Sequence, residues 1–199
     1  MIPEEAFVEI LKELERKPLP TNYYRKRSGQ GQSQVFGVVN RRCLPPDYSR
    51  QCWMRAQLYK HILDFGAKYV TDISWNAITV NVNYKAAPHR DRGNVGPSFL
   101  VGCGDYEGGW LKIEEEGQDP PLGSYDIRHK PLVADFSKVL HSVAPWTGHR
   151  VSLVFYQLRN TPPLPPPAVV HQEGKWLFKR GEEVITAGLP HPLRNRKRE

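Results

Sequence analysis

The sequence predicts an α+β fold, in which N-terminal helices flank an antiparallel β-sandwich or barrel. Residues 3–16 and 45–66 place apolar side chains at helical spacing. From residue 75 onward the pattern changes to short apolar runs punctuated by glycine turns. The bulk composition agrees: 199 residues, 39% hydrophobic and 25% charged, suffice for one domain with its own core. Within that domain, residues 1–70 read as a helical and strand support region. Residues 71–160 read as the β core, and 161–199 as a proline-rich connector with a basic tail.

Pro3 suits a first helical turn, and Phe7, Ile10, Leu11 and Leu14 fall on one face of the helix at 3–16. Residues 18–34, rich in Pro, Gly, Gln and Arg, read as a loop, and "QVFGVVN" (34–40) as a strand. The second helix takes Asp47 or Ser49 as its cap, with Trp53, Ala56, Tyr59, Ile62, Leu63 and Phe65 as its buried stripe. "AITVNVNY" (77–84) alternates Ile78, Val80, Val82 and Tyr84 against Thr79, Asn81 and Asn83. "SFLVG", "GWLKIE", "SYDIR", "PLVADF" and "RVSLVFYQL" continue the strands. "TPPLPPPA" cannot lie inside a sheet and reads as a stiff connector, and "GKWLFKRG" as one last edge strand.

The net charge is +7, with basic clusters at 23–34 and 193–199. Such an excess points to a polyanionic partner, nucleic acid before membrane, or to localisation signals. Three cysteines with no CxxC spacing argue against a disulfide framework or zinc knot and favour a reducing, intracellular compartment. The acidic, amphipathic start has neither the basic leader nor the apolar centre of a signal peptide, and no stretch approaches a membrane span.

The chemistry gathers in "HRDRGN" (89–94). Residues two apart in an extended segment project the same way, so His89 and Asp91 can grip one ion. His141, after the apolar "PLVADF" segment, supplies a third ligand. Two histidines and one carboxylate on one face leave open positions, the arrangement of non-heme Fe(II) oxygenases. Arg150 and Ser152 alternate with Val151 and Leu153, and a guanidinium beside a hydroxyl is a receptor for a carboxylate.

Together, H-x-D, a distant His and R-x-S in a chain of short strands resemble the 2-oxoglutarate- and Fe(II)-dependent dioxygenases, over residues 76–156. Within them, "NVNYKAAPHRDRGNVGPSFLVGCGDYEGGWL" is similar to the TET/JBP branch, through Asn94 and the turn at Gly104, Tyr106, Gly108, Gly109 and Leu111. The resemblance implies a double-stranded β-helix (jelly-roll, cupin-like) core with N-terminal flanking helices. It implies that His89, Asp91 and His141 hold Fe(II), and that Arg150, helped by Ser152, binds 2-oxoglutarate. Molecular oxygen is the co-reactant, and ascorbate is an alternative cosubstrate within the branch. Asn94 matches the position facing the target base, with Asn81 and Asn83 as further pocket residues. The expected substrate is the methyl group of 5-methylcytosine or thymine in nucleic acid, DNA first. A monomer is expected, nuclear in a eukaryote.

Other readings stand beside these. The three ligands would also serve another metal in a cupin-like barrel, and Arg150 a structural ion pair. Asn94 beside Gly93 equally suits a left-handed turn. His129 and His149 flank the site in sequence, whereas Trp110, Trp146 and Phe155 read as core or rim. A hydroxylase of protein or a small molecule is the alternative activity. A catalytically dead module is disfavoured because every expected ligand is present.

Overall fold

The computed structural model describes residues 1–21, 29–41 and 44–186. A 3-10 turn, Glu4–Phe7, runs into α1 (Val8–Arg16). After β1 (Gly29–Arg41) and β2 (Leu44–Tyr48) come α2 (Gln51–Met54) and α3 (Ala56–Tyr69). The expected single helix at 45–66 is therefore shorter and broken. Pro45 and Pro46 lack the N–H that a helix or a central strand needs, which suits them to β2 at the edge of a sheet. Arg55, with φ −134° and ψ 46°, interrupts the helix itself. Ser49 Oγ accepts the Gln51 N–H, whereas Asp47 pairs with Arg180 and Arg41.

Ten more strands of two kinds follow β3 (Ala77–Ala86) and β4 (Asn94–Cys103). Seven complete the β core: β5 (Tyr106–Gly108), β6 (Leu111–Ile113), β7 (Gly123–Tyr125), β8 (Leu132–Ala134), β9 (His141–Val143), β10 (Trp146–Gly148) and β11 (Val151–Leu158). The major sheet has the order β2-β1-β3-β11-β4-β8 and is antiparallel throughout. A smaller sheet, β7-β6-β9, faces it, and β5 pairs with β10. The back of the major sheet buries Ile78, Val80, Val101, Val151, Leu153 and Phe155 against Phe7, Ile10, Tyr59, Ile62 and Phe65 of the helices. Between the sheets, Leu100, Leu111, Ile113, Ile127 and Phe136 form a second cluster. Two-residue periodicity therefore sends alternate side chains of β3, β4 and β11 to helix or to interior.

The remaining three strands, β12 (Pro167–Gln172), β13 (Lys175–Arg180) and β14 (Glu183–Ile185), make a sheet of their own. The expected edge strand at 174–181 is thus the central strand of three. Glu173 and Gly174, at φ 50° and 74°, close a two-residue hairpin from β12. Val169 and Phe178 bury themselves in the helical core, so the chain beyond 160 is more than connector and tail.

Two further expectations shift. The loop reading of 18–34 fails from residue 29, because the Gln-rich segment 29–34 is part of β1 and pairs with β3. Residues 22–28 and the basic tail at 193–199 lie outside the described residues. Tyr84 also leaves the face of Ile78, Val80 and Val82. Asn83 takes φ 48° and the β1–β3 register slips between Gln30 and Gln32, so Tyr84 turns inward toward the cavity. No described helix is long and apolar enough to cross a membrane.

Candidate functional site

Beyond β3 the chain passes Ala87 and Pro88 and meets β9. His89 and His141 exchange both backbone hydrogen bonds, each 3.0 Å, which fastens the H-x-D segment to the first residue of β9 in the smaller sheet. The Asp91 N–H donates to the Phe136 carbonyl at 2.8 Å. The charged spacer between the ligands also has a task. Arg90 Nε donates to the Lys138 carbonyl at 2.7 Å, and its guanidinium pairs with Glu115.

The ligand atoms of His89, Asp91 and His141 all lie within 4.8 Å of one another. His89 Nε2 is 3.5 Å from one Asp91 oxygen and His141 Nε2 is 3.9 Å from the other. Each Nδ1 is spent on the backbone, His89 on the Ala87 carbonyl at 2.8 Å and His141 on the Val139 carbonyl at 2.9 Å. Donation to a carbonyl requires the proton on Nδ1 and leaves the Nε2 lone pair for a metal. Burial lowers the His141 pKa, against the opposing pull of Asp91 and the Val139 carbonyl, and so favours the neutral, ligating form. Two oriented imidazoles and a carboxylate fit a divalent first-row metal with open positions.

These side chains stand in a cavity of about 370 Å³ that extends between the sheets. Its walls include Leu100, Leu111, Val143 and Val154, and Arg150 and Ser152 also line it. Arg150 is 2% exposed. Its Nε donates to the Gly109 carbonyl at 3.0 Å, and its guanidinium stacks over Tyr106 and Trp146, 5.6 and 5.7 Å from the ring centres. Burial lowers its pKa, but a guanidinium starts so high that it stays charged. No carboxylate pairs with it among the described residues. A buried cation without a counter-ion is costly unless an anion arrives from outside. That fits the carboxylate of a cosubstrate.

The cavity also collects Asn94 and Asn81. Asn94, 6% exposed, opens β4; its Nδ2 lies 3.5 Å from Ser98 Oγ. Neither it nor Gly93 occupies the left-handed region, so the expected left-handed turn is not formed there. Asn81 Nδ2 donates to Ser152 Oγ at 3.3 Å. Asn83, expected with them, does not line the cavity: it sits on the β3 bulge, exposed, and its Oδ1 accepts the Arg150 N–H at 2.8 Å. His129 stacks on Phe7 on the helical side, 5.1 Å between ring centres, and His149 is also outside the lining. Trp146 covers Arg150, Phe155 is core, and Trp110 is half exposed. Sequence reasoning missed Tyr156 and Phe136. Tyr156 shares the parity of Arg150 and Ser152 on one strand, a signal that was there to use; Phe136, 4.8 Å from the His141 ring, comes from a turn and gave none.

No protein-family model matches the sequence, and no curated protein matches it. Solved structures do. NgTET1 in complex with 5mC DNA aligns at a TM-score of 0.56 with 14% identity, covering 79% of this chain and 69% of that one. A 2OG-Fe(II) oxygenase family oxidoreductase from Burkholderia pseudomallei gives 0.49 at 15% identity, over 76% and 80% of the two chains. A Pseudomonas putida prolyl-4-hydroxylase gives 0.46 at 17%, over 80% and 89%. With the two facing sheets, the alignment to NgTET1 establishes the architecture: the chain has a double-stranded β-helix core.

Proposed function

We propose that this chain is an Fe(II)- and 2-oxoglutarate-dependent dioxygenase that oxidises the methyl group of a nucleic-acid base, 5-methylcytosine in DNA. One observation carries the reading: a single cavity has a His–Asp–His cluster at one place and, at another, a buried guanidinium with no carboxylate partner among the described residues. His89, Asp91 and His141 would hold the iron. Arg150 and Ser152 would take the distal carboxylate of 2-oxoglutarate. Ascorbate has no carboxylate to meet Arg150, so the dicarboxylic acid is the better match. Bound at the triad, Fe(II) supplies the activation of molecular oxygen that no side chain here provides.

The protein's own contribution is positioning and exclusion of water. Leu100, Leu111, Val143 and Val154 make the interior apolar, which strengthens the attraction between Arg150 and an incoming carboxylate. Asn94 lines the same cavity three residues beyond Asp91, and its amide can both donate to and accept from a pyrimidine edge. A base must leave the stack to reach so enclosed a site. The net charge of +7 favours a polyanion, and the structural relative with the highest TM-score above was bound to 5mC DNA.

Asn94→Ala tests the substrate assignment. It should retain iron and 2-oxoglutarate binding, and retain 2-oxoglutarate decarboxylation without product, yet lose base oxidation. Full base oxidation by this variant would remove Asn94 from the site. Duplex DNA should also suppress turnover of a reporter substrate; suppression by a peptide or metabolite instead would favour the alternative hydroxylase.

A further inference from the structure

The turn that follows the H-x-D pair carries charge at the mouth of the cavity. The Asn94 N–H donates to the Asp91 carbonyl at 2.9 Å, so Asp91–Asn94 is a four-residue turn with Arg92 and Gly93 at its centre. Of the three arginines that line the cavity, Arg90 is paired with Glu115 and Arg150 is buried. Arg92 differs from both. It is exposed, and its guanidinium makes no hydrogen bond or ion pair among the described residues.

A second arginine braces the same turn. Arg159 follows directly on β11. Its backbone N–H donates to the Gly93 carbonyl at 2.8 Å, and its Nη2 donates to the Asn94 carbonyl at 3.1 Å. Its own carbonyl accepts from the Asn40 side chain at 3.3 Å, so its backbone is fixed on both sides. One arm of the guanidinium is thereby committed, and the other N–H groups of the fork remain. Arg159 is exposed and pairs with no carboxylate among the described residues. By contrast Arg90 and Lys138, on the two segments that carry the histidines, are neutralised by Glu115 and Asp135.

Two cations without counter-ions therefore flank one turn, and that turn leads Asn94 into the cavity. Cations outside and an amide inside suit a ligand whose anionic groups stand a short way from a polar ring edge. A nucleotide within a strand is such a ligand, because its flanking phosphates stay outside while the extruded base enters. We propose that Arg92 and Arg159 form a phosphate clamp, which holds the strand on either side of the base that enters beside Asn94. This rests on the nucleic-acid reading above and narrows it: the substrate is a base within a strand, and a free nucleoside, which offers no phosphate, is a poor one. A guanidinium fork suits the task, since it can meet two phosphate oxygens at once. Such contacts set register and carry no base identity, which is left to the cavity.

The test is an anaerobic anisotropy titration of a labelled DNA duplex carrying 5-methylcytosine with the Fe(II)-loaded full chain, at several KCl concentrations. Each phosphate contact contributes about 0.9 to the slope of log affinity against log salt, so Arg92→Gln and Arg159→Gln should each flatten the slope by about that amount. Arg159→Lys keeps the charge and should keep the parental slope; a slope as flat as that of Arg159→Gln would mean that the residue only holds the turn, and would overturn the clamp. Lys60→Gln with Lys68→Gln removes two charges from α3, behind the major sheet, and should leave the slope unchanged. If it flattens the slope as much as the two arginine substitutions together, the effect is one of net charge and the clamp is overturned. Parental slopes in both arginine variants would overturn it too, while the nucleic-acid reading stands. So would equal kcat/KM of the parent for the duplex and for free 5-methyldeoxycytidine, where a large preference for the duplex is expected. A parent that binds no duplex at any salt concentration would overturn the nucleic-acid reading itself, and the clamp with it.

Discussion

His141 carries the most at the scale of single residues. It completes the proposed metal site, and its backbone is the other half of the bridge to His89. Replacing its side chain leaves that bridge able to form, so His141→Ala should fold and yet bind Fe(II) far more weakly in anaerobic calorimetry. Affinity equal to that of the parent would show that another ligand completes the set. Much at this scale was legible in the sequence. The H-x-D pair, the distant histidine and the Arg–Ser alternation follow from side-chain chemistry and two-residue parity alone. What was not legible depended on backbone departures from regularity. Asn83 shares the parity of Asn81, but its positive φ takes it out of the cavity and onto the backbone of Arg150.

Among the elements, the turn joining β5 to β6 does more than reverse the chain. Gly109, at φ 64°, offers its carbonyl to Arg150 Nε, and a Cβ there would lie 2.8 Å from both Cδ and Nε of that arginine. Gly117, at φ 71°, has nothing within 4 Å of the same added atom. The pair separates backbone strain from a clash with Arg150, the proposed carboxylate anchor. Both Gly109→Ala and Gly117→Ala should lose roughly 1–3 kcal/mol of stability from the left-handed backbone. Only Gly109→Ala should also raise the apparent Michaelis constant for 2-oxoglutarate, by about tenfold if Arg150 is displaced from its partner. Equal constants in the two variants would mean that the turn does not hold the arginine. The elements also mark where a sequence reading loses resolution. The short strands of the core announce themselves by alternation, whereas the Gln- and Gly-rich half of β1 becomes a strand only because β3 offers it a ladder. The two prolines of β2 are tolerated only because that strand is an edge.

For the whole molecule, the division of labour is between two cores. The helical core stiffens the back of the major sheet, and the front of that sheet shares the interior with the smaller one. Each long strand therefore builds scaffold with one set of side chains and site with the other. The excess of seven positive charges acts at this scale too. Phosphate contacts release counter-ions, so affinity for duplex DNA should fall steeply with salt, with a slope of about −0.9 per phosphate neutralised. Deleting residues 193–199 should flatten that slope without changing 2-oxoglutarate affinity. An unchanged slope would assign the basic tail to some other task. The central claim is tested most directly by mass spectrometry of nucleosides released from methylated DNA after incubation with the protein, Fe(II), 2-oxoglutarate and air. The expected result is 5-methylcytosine carrying one added oxygen atom, absent without 2-oxoglutarate and absent with His141→Ala. Methylated DNA left untouched while a peptide or free metabolite is hydroxylated would contradict it.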